Sequence, residues 1–174
     1  CSSDLFCHKN AMQPYLLFIC SCFIFPVFAQ APLDAPLPQR FDGMEATLLV
    51  HHFPATVYAT TDSDRKDFFY FWKHNTAVLS PTEEVAVLEC GAYLYYSDRW
   101  KLRISYPPKK FSRLFDCPGA RLKPGQPYTF NDNWRTDNRL SGGWAMWYVI
   151  GQNKAGEKVY GVGRVETVGA LKKN

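Results

Sequence analysis

Two histidines stand side by side at His51 and His52, with His74 and Met44 elsewhere in the chain. A copper or zinc centre needs several such ligands converging on one point, and neighbours on an extended strand point to opposite faces. With no His-x-His or His-Glu-x-x-His spacing, each ring reads as a surface or hydrogen-bonded group, and no metal is expected. Glu83, Glu84, Glu89, Asp132 and Asp137 offer the carboxylates of a small hydrolase. That chemistry requires two of them held at a set separation across the scissile bond, and their spacing selects no pair. Asn131, Asp132, Asn133, Asp137 and Asn138 are rich in oxygen, but they miss the Asp-x-Asp-x-Asp-Gly pattern of a calcium loop and suit turns. The nucleophile elbow, the phosphate-binding loop, the dinucleotide glycines and Cys-x-x-Cys are all missing, and Gly161-Val162-Gly163 is only a strand with two glycines. The residue chemistry points away from catalysis and from any cofactor, and towards binding.

Two surfaces could bind. Residues 99–123 hold eight basic side chains (Arg99, Lys101, Arg103, Lys109, Lys110, Arg113, Arg121 and Lys123) against one acid, Asp116. Arg99, Lys101 and Arg103 alternate along one strand face, and Lys109 and Lys110 follow the Pro107-Pro108 turn. This cationic strip suits an anionic glycan, a lipid headgroup or an acidic protein, although basic residues on an outer strand also serve simply to discourage aggregation. Nucleic acid fits less well, because the aromatics of this strand fall on the opposite face and cannot stack bases beside the charges. The second surface is Asn131 to Trp144, a polar stretch expected to be a loop, in which Trp134 and Arg135 offer a flat ring beside hydrogen-bonding groups. A carbohydrate-binding accessory domain uses such a pairing. Trp144 and Tyr148 share one strand face and Trp147 takes the other, as core aromatics do.

The frame that positions these residues is short. At 174 residues the chain is one domain with a tail, and 47% hydrophobic content with 13 Phe, 10 Tyr and 5 Trp fills a sizeable core and excludes disorder. Lys and Arg number 20 against 16 Asp and Glu, a surplus too mild for a nucleic-acid polyelectrolyte. Residues 1–11 precede the first methionine and read as upstream translation or sequencing-adapter artefact. Residues 12–29 read as a signal peptide cleaved after Ala29, since the apolar run from Tyr15 to Phe28 is shorter than the roughly 20 residues a bilayer span needs and ends on small residues. A secreted or periplasmic address without a stable membrane anchor follows. Residues 30–39 carry three prolines and should be extended and mobile. Removing residues 1–29 leaves Cys90 and Cys117, and an even pair in an exported chain reads as a disulfide contributing roughly 3 to 4 kcal/mol; two separate buried thiols are the alternative.

From Arg40 to Asn174 the patterning is that of strands. Trp100, Leu102, Ile104 and Tyr106 alternate with Arg99, Lys101, Arg103 and Ser105, which predicts a half-buried strand. Asp67 to Lys73 is apolar on both faces and predicts a central strand. Glu84 to Cys90 and Ala92 to Ser97 flank Gly91, where a bulge or bend is expected. Trp144 to Ile150 and Val159 to Val168 bracket Asn153 to Glu157, a hairpin connection. No stretch carries a sustained helical pattern. The fold predicted is an all-β, antiparallel β-sandwich. Leu122-Lys123-Pro124-Gly125-Gln126-Pro127-Tyr128 resembles the L-x-P-G-x-x-Y corner of immunoglobulin-like and fibronectin type III domains. That resemblance implies an immunoglobulin-like sandwich in which Pro-Gly makes the turn and the tyrosine hydroxyl bonds back to the chain. It implies no activity, because such sandwiches host many functions. The expected protein is an exported, non-catalytic binding module for a protein or glycan, with an anionic partner being the one that complements the strip.

Overall fold

A computed structural model describes residues 35–173 except 63, 65 and 66; the expected signal segment and everything before it lie outside the described residues. Among the described residues ten strands and one α-helix follow in order, besides two short 3-10 turns: β1 (Glu45–Ala46), β2 (Leu49–Phe53), β3 (Thr56–Ala59), β4 (Tyr70–Leu79), β5 (Val85–Tyr96), β6 (Arg99–Tyr106), α1 (Pro108–Leu114), β7 (Arg121–Leu122), β8 (Tyr128–Asp137), β9 (Gly143–Gln152) and β10 (Lys158–Leu171). The large sheet runs β1-β10-β9-β5-β6, with β3 also on β10 and β7 also on β5; the small one runs β2-β4-β8. The fold is all-β with two sheets packed together, as the alternation predicts. Most pairings are antiparallel, but the short strands β1 and β3 both lie parallel to β10.

Period-two alternation accounts for the layers. Trp147 and Val149 of β9 join the core between the sheets, while Met146, Tyr148 and Ile150 turn to the outer face of the large sheet. The inner core also takes Phe111 and Phe115 from around α1 and Tyr128 from β8. The outer face is covered by Phe41, with Ala35, Leu37 and Met44 packed alongside. Arg40 fastens this cover: its guanidinium donates to the Tyr148 hydroxyl at 2.9 Å and to Glu89 Oε2 at 3.1 Å, and it lies over the Tyr148 ring. Partial burial alone would raise the Glu89 pKa, but hydrogen bonds from Tyr148 and Ser105 and the charge of Arg40 hold it below the usual carboxylate value.

Along one side the two sheets are joined. Thr60 and Phe71 exchange backbone hydrogen bonds at 2.8 and 2.9 Å, linking the end of β3 to β4, and Trp72 Nε1 donates to the Val168 carbonyl at 2.8 Å. β2 crosses β10 where the glycines of Gly161-Val162-Gly163 remove the side chains: a Cβ at Gly163 would lie 2.5 Å from the Val50 carbonyl oxygen, and one at Gly161 would meet the Leu48 backbone. Gly163→Ala should therefore cost about 2 kcal/mol by forcing the strands apart; a urea midpoint equal to that of the parent protein would contradict this packing. On the other side β6 pairs only with β5 and β8 only with β4, so among the described residues these two edges do not meet.

The structure corrects four expectations. Gly91 is no bend, because β5 runs through it; a Cβ there would collide with the Ile104 carbonyl and the Tyr148 ring. The stretch from Asn131 to Asp137 is strand β8 rather than loop, since an irregularity opposite Asn75 absorbs one extra residue, with Asp132 at φ 52° and its N–H bonded to Asn75 Oδ1 at 3.0 Å. Lys109 and Lys110 stand on a seven-residue helix that begins at Pro108, where the missing N–H is harmless, and buries Phe111. Cys90 and Cys117 are free thiols instead of the expected disulfide. Both are buried in the inner core, and Cys117 Sγ is turned to the Arg121 carbonyl at 3.3 Å. Burial pushes their pKa values up to about 12 and about 11, so both stay protonated and unreactive. In the corner at residues 122–128, Gly125 adopts φ 71°, its N–H bonds the Ser80 carbonyl at 2.8 Å, and Tyr128 is buried.

Candidate functional site

Because β6 and β8 leave their facing edges unpaired, a cleft of about 330 Å³ opens between them, within the size range of small-molecule sites. β6 supplies Arg103, Ile104 and Tyr106; α1 supplies Lys110 and Leu114; β8 supplies Phe130, Asn133, Trp134, Arg135 and Thr136. The back is made by Ala92 and Leu94 of β5, Ala145 and Trp147 of β9, and His74 of β4.

A single extra residue in β6 decides which side chains face this cleft. Ala92 pairs with Ile104 and Tyr93 with Leu102, so Arg103 is unmatched and bulges. An insertion of one residue exchanges the faces beyond it. Trp100 consequently packs on the outer face of the large sheet, while Ile104 and Tyr106 swing to the side that Arg103 borders. The uniform alternation expected for Arg99 to Tyr106, with all bases on one face and all apolar residues on the other, is broken there. Cations and aromatics that strict alternation would separate therefore share one cavity.

The predicted site residues divide accordingly. Arg103, Lys110, Trp134 and Arg135 line the cleft, which joins the cationic strip to the Trp134 region; Arg99, Lys101 and Lys109 are exposed outside it. Trp134 is 47% exposed and meets Phe130 edge to face at 6.3 Å. Lys110 holds its ammonium 5.8 Å from the Tyr106 ring centroid. Neither Arg103 nor Lys110 has an ion-pair partner among the described residues. Arg135 is different. Its side chain is only 9% exposed, stacks over Trp72 at 4.8 Å, and donates to Thr167 Oγ1, to Ser141 Oγ at 3.3 Å and to Asp137 Oδ2 at 3.4 Å. It braces β8 against β10 and has no free charge to offer a ligand.

Sequence reasoning missed the polar wall behind the cleft. His74 and Asn133 pair across β4 and β8 and are both buried. Asn133 Nδ2 donates to Thr76 Oγ1 at 2.8 Å, and the same hydroxyl lies 3.0 Å from His52 Nδ1. The His52 and His74 rings meet edge to face at 5.1 Å. Burial, the neighbouring His74 and, less strongly, His51 push the His52 pKa down to about 4, against a pull upward from the Gly163 backbone. Burial likewise lowers that of His74, so both rings are neutral at pH 7. His74 Nδ1 lies 3.3 Å from the Trp72 carbonyl, which can only accept, so this nitrogen carries the ring proton. Among the described residues its Nε2 has no hydrogen-bond partner, and the atom is buried. The signal in the sequence was the polar run Lys73-His74-Asn75-Thr76 between the apolar ends of β4, in which His74 and Thr76 alternate onto one face.

The carboxylates weighed for acid-base chemistry sit elsewhere. Glu89 belongs to the Arg40 network on the outer face, and Asp137 is occupied by Arg135, Ser141 and the Arg139 N–H. Burial would raise the Asp137 pKa, yet those hydrogen bonds and Arg135 hold it low. Among the described residues no cluster of three or more His, Cys, Asp or Glu side chains could hold a metal ion. The fold and cleft define an all-β sandwich with a concave, cationic and aromatic cleft. No protein-family model matches the chain, and no curated protein matches it either.

Proposed function

We propose that the protein is an exported, non-catalytic binding module whose site is the cleft between β6, α1 and β8, and that its ligand is a small anion with a flat apolar body. One observation carries this reading: Arg103 and Lys110, both without an ion-pair partner among the described residues, stand beside a cavity walled by Tyr106, Phe130, Trp134 and Trp147. Aromatic walls reward a ring with area and with edge or face contacts, and the cations reward a carboxylate at its end. A neutral sugar would use Trp134 but leave both charges unanswered. Export rests on the signal-like segment at residues 12–29, and kinship with immunoglobulin-like sandwiches rests on the corner around Gly125 and Tyr128.

Isothermal titration with trans-cinnamate and with cinnamyl alcohol tests the proposal, because the two probes share a body and differ in charge. The acid should bind, and the alcohol should bind about tenfold more weakly, the usual worth of one charge-assisted pair. Failure of cinnamate to bind, or equal affinity for the alcohol, would refute the anion site.

A further inference from the structure

One wall of the cleft is a strand edge that a small acid leaves unused. Among the described residues β6 pairs with β5 alone, so every second residue from Arg99 to Tyr106 turns its N–H and carbonyl away from β5, on the side where the gap to β8 opens. Leu102 and Ile104 stand on this edge 51% and 38% exposed. Arg99 and Lys101 continue the line of cations beyond the cleft, and neither has an ion-pair partner among the described residues. That charge disfavours a second copy of the chain, because antiparallel pairing of two β6 edges would set bases against bases. The edge also has a closed end. β6 stops at Tyr106, and α1 brings Lys110 and Leu114 to the same cavity, so a chain lying along β6 meets a cationic wall there. Of the two ends of a peptide, only the carboxyl end carries the charge that this wall attracts.

We infer that the cleft receives the C-terminus of an extended, acidic peptide that adds a strand to β6, with an aromatic last side chain in the cavity and the terminal carboxylate at Arg103 and Lys110. The inference rests on the proposed anion site and specifies its partner: the flat body and the carboxylate belong to one terminal residue. Direction follows from the charges. With the carboxylate near the α1 end, the preceding residues run back past Lys101 and Arg99, so the added strand lies parallel to β6, as β1 and β3 already lie parallel to β10. Alternation then sets the sequence it takes. Leu94, paired with Lys101, lines the cleft, whereas Tyr93, paired with Leu102, packs on the outer face. The residues two and four before the terminus therefore fall on the side of Lys101 and Arg99, where acids are matched. The residue just before the terminus falls beside Leu102, where an apolar side chain is matched. Main-chain bonds along the edge supply affinity, and the cavity selects the terminal ring.

The probe is acetyl-Glu-Val-Glu-Val-Phe with a free carboxylate, titrated at pH 7.5 into the intact protein beside cinnamate. The peptide should bind about tenfold more tightly than cinnamate, and its C-terminal amide about tenfold more weakly than the acid. Two further peptides carry backbone N-methyl groups, one on the Phe and both Glu residues, the other on both Val residues. Only one of these sets can face β6, so one methylated peptide should lose about tenfold or more and the other less than about threefold. Equal affinity of peptide and cinnamate, of acid and amide, or of the two methylated peptides would each overturn the inference while leaving the anion site intact. A free protein that sediments as a dimer with every β6 amide protected from hydrogen exchange would place a second copy on the edge and overturn it as well. Failure of cinnamate to bind would overturn the anion site and this inference together.

Discussion

Reversing both rim charges, Arg103→Glu with Lys110→Glu, is expected to weaken cinnamate binding about a hundredfold, and the same change at Arg99 and Lys101 to weaken it less than threefold. Each reversal replaces an attraction by a repulsion. With Arg103 exposed and Lys110 half-buried, solvent screening leaves each worth about 1 to 1.5 kcal/mol, and a sum near 3 kcal/mol is a factor of about one hundred. Arg99 and Lys101 do not border the cleft, so they act only through a field that physiological salt screens within about 8 Å. Neither Arg103 nor Lys110 forms an ion pair among the described residues, so thermal stability should move by less than about 0.5 kcal/mol. Titration calorimetry on both double variants, with the urea midpoint as a folding control, checks the contrast. Equal losses would mean that the whole strip, and not the cleft, attracts the ligand.

Acidification from pH 7.5 to pH 5 is expected to destabilise the protein by about 2 kcal/mol, before ordinary carboxylates take up protons. The cause is His52. Its pKa falls from an ordinary 6.5 to about 4 in the folded chain. Above pH 6.5 neither state binds the proton; between 6.5 and 4 the unfolded chain binds it and the folded chain does not. Stability is thus complete above the unfolded value and is lost as the pH falls towards the folded one, amounting to roughly 3 kcal/mol over the whole interval. His74, lowered in the same direction, adds to the loss. Glu89 and Asp137, both held low, contribute stability that disappears only at more acid pH. Urea unfolding at pH 7.5, 6 and 5 measures the slope, and His52→Gln should flatten it. A flat profile in the parent protein would mean that the buried imidazoles are not held neutral.

The all-β layering was legible because alternation is a local property: β9 and β10 fall within three residues of where their side-chain pattern places them. What escaped were departures from regularity. The bulge at Arg103 moves Ile104 and Tyr106 to the other face, and nothing in the run Arg99 to Tyr106 signals it, because the cause is the partner strand's register around Ala92 and Tyr93. Arg103, Lys110 and Trp134 could be picked out as candidates, yet their convergence depends on β6 and β8 lying at opposite open edges, a non-local fact. Arg135 looked like a binding residue from its type alone; its neighbours Trp72 and Thr167, distant in sequence, make it a brace. The two glycines at Gly161 and Gly163 were visible but silent until β2 was seen to cross them.

The most direct test of the cleft is backbone and indole amide mapping by NMR as cinnamate is added to the isotopically labelled protein. Shifts should concentrate on Arg103 to Tyr106, Lys110, Phe130 to Trp134 and the Trp134 and Trp147 indoles, with Tyr93, Trp100 and Phe41 on the opposite face unmoved. Shifts centred on that outer face, or spread evenly along Arg99 to Lys123, would contradict it.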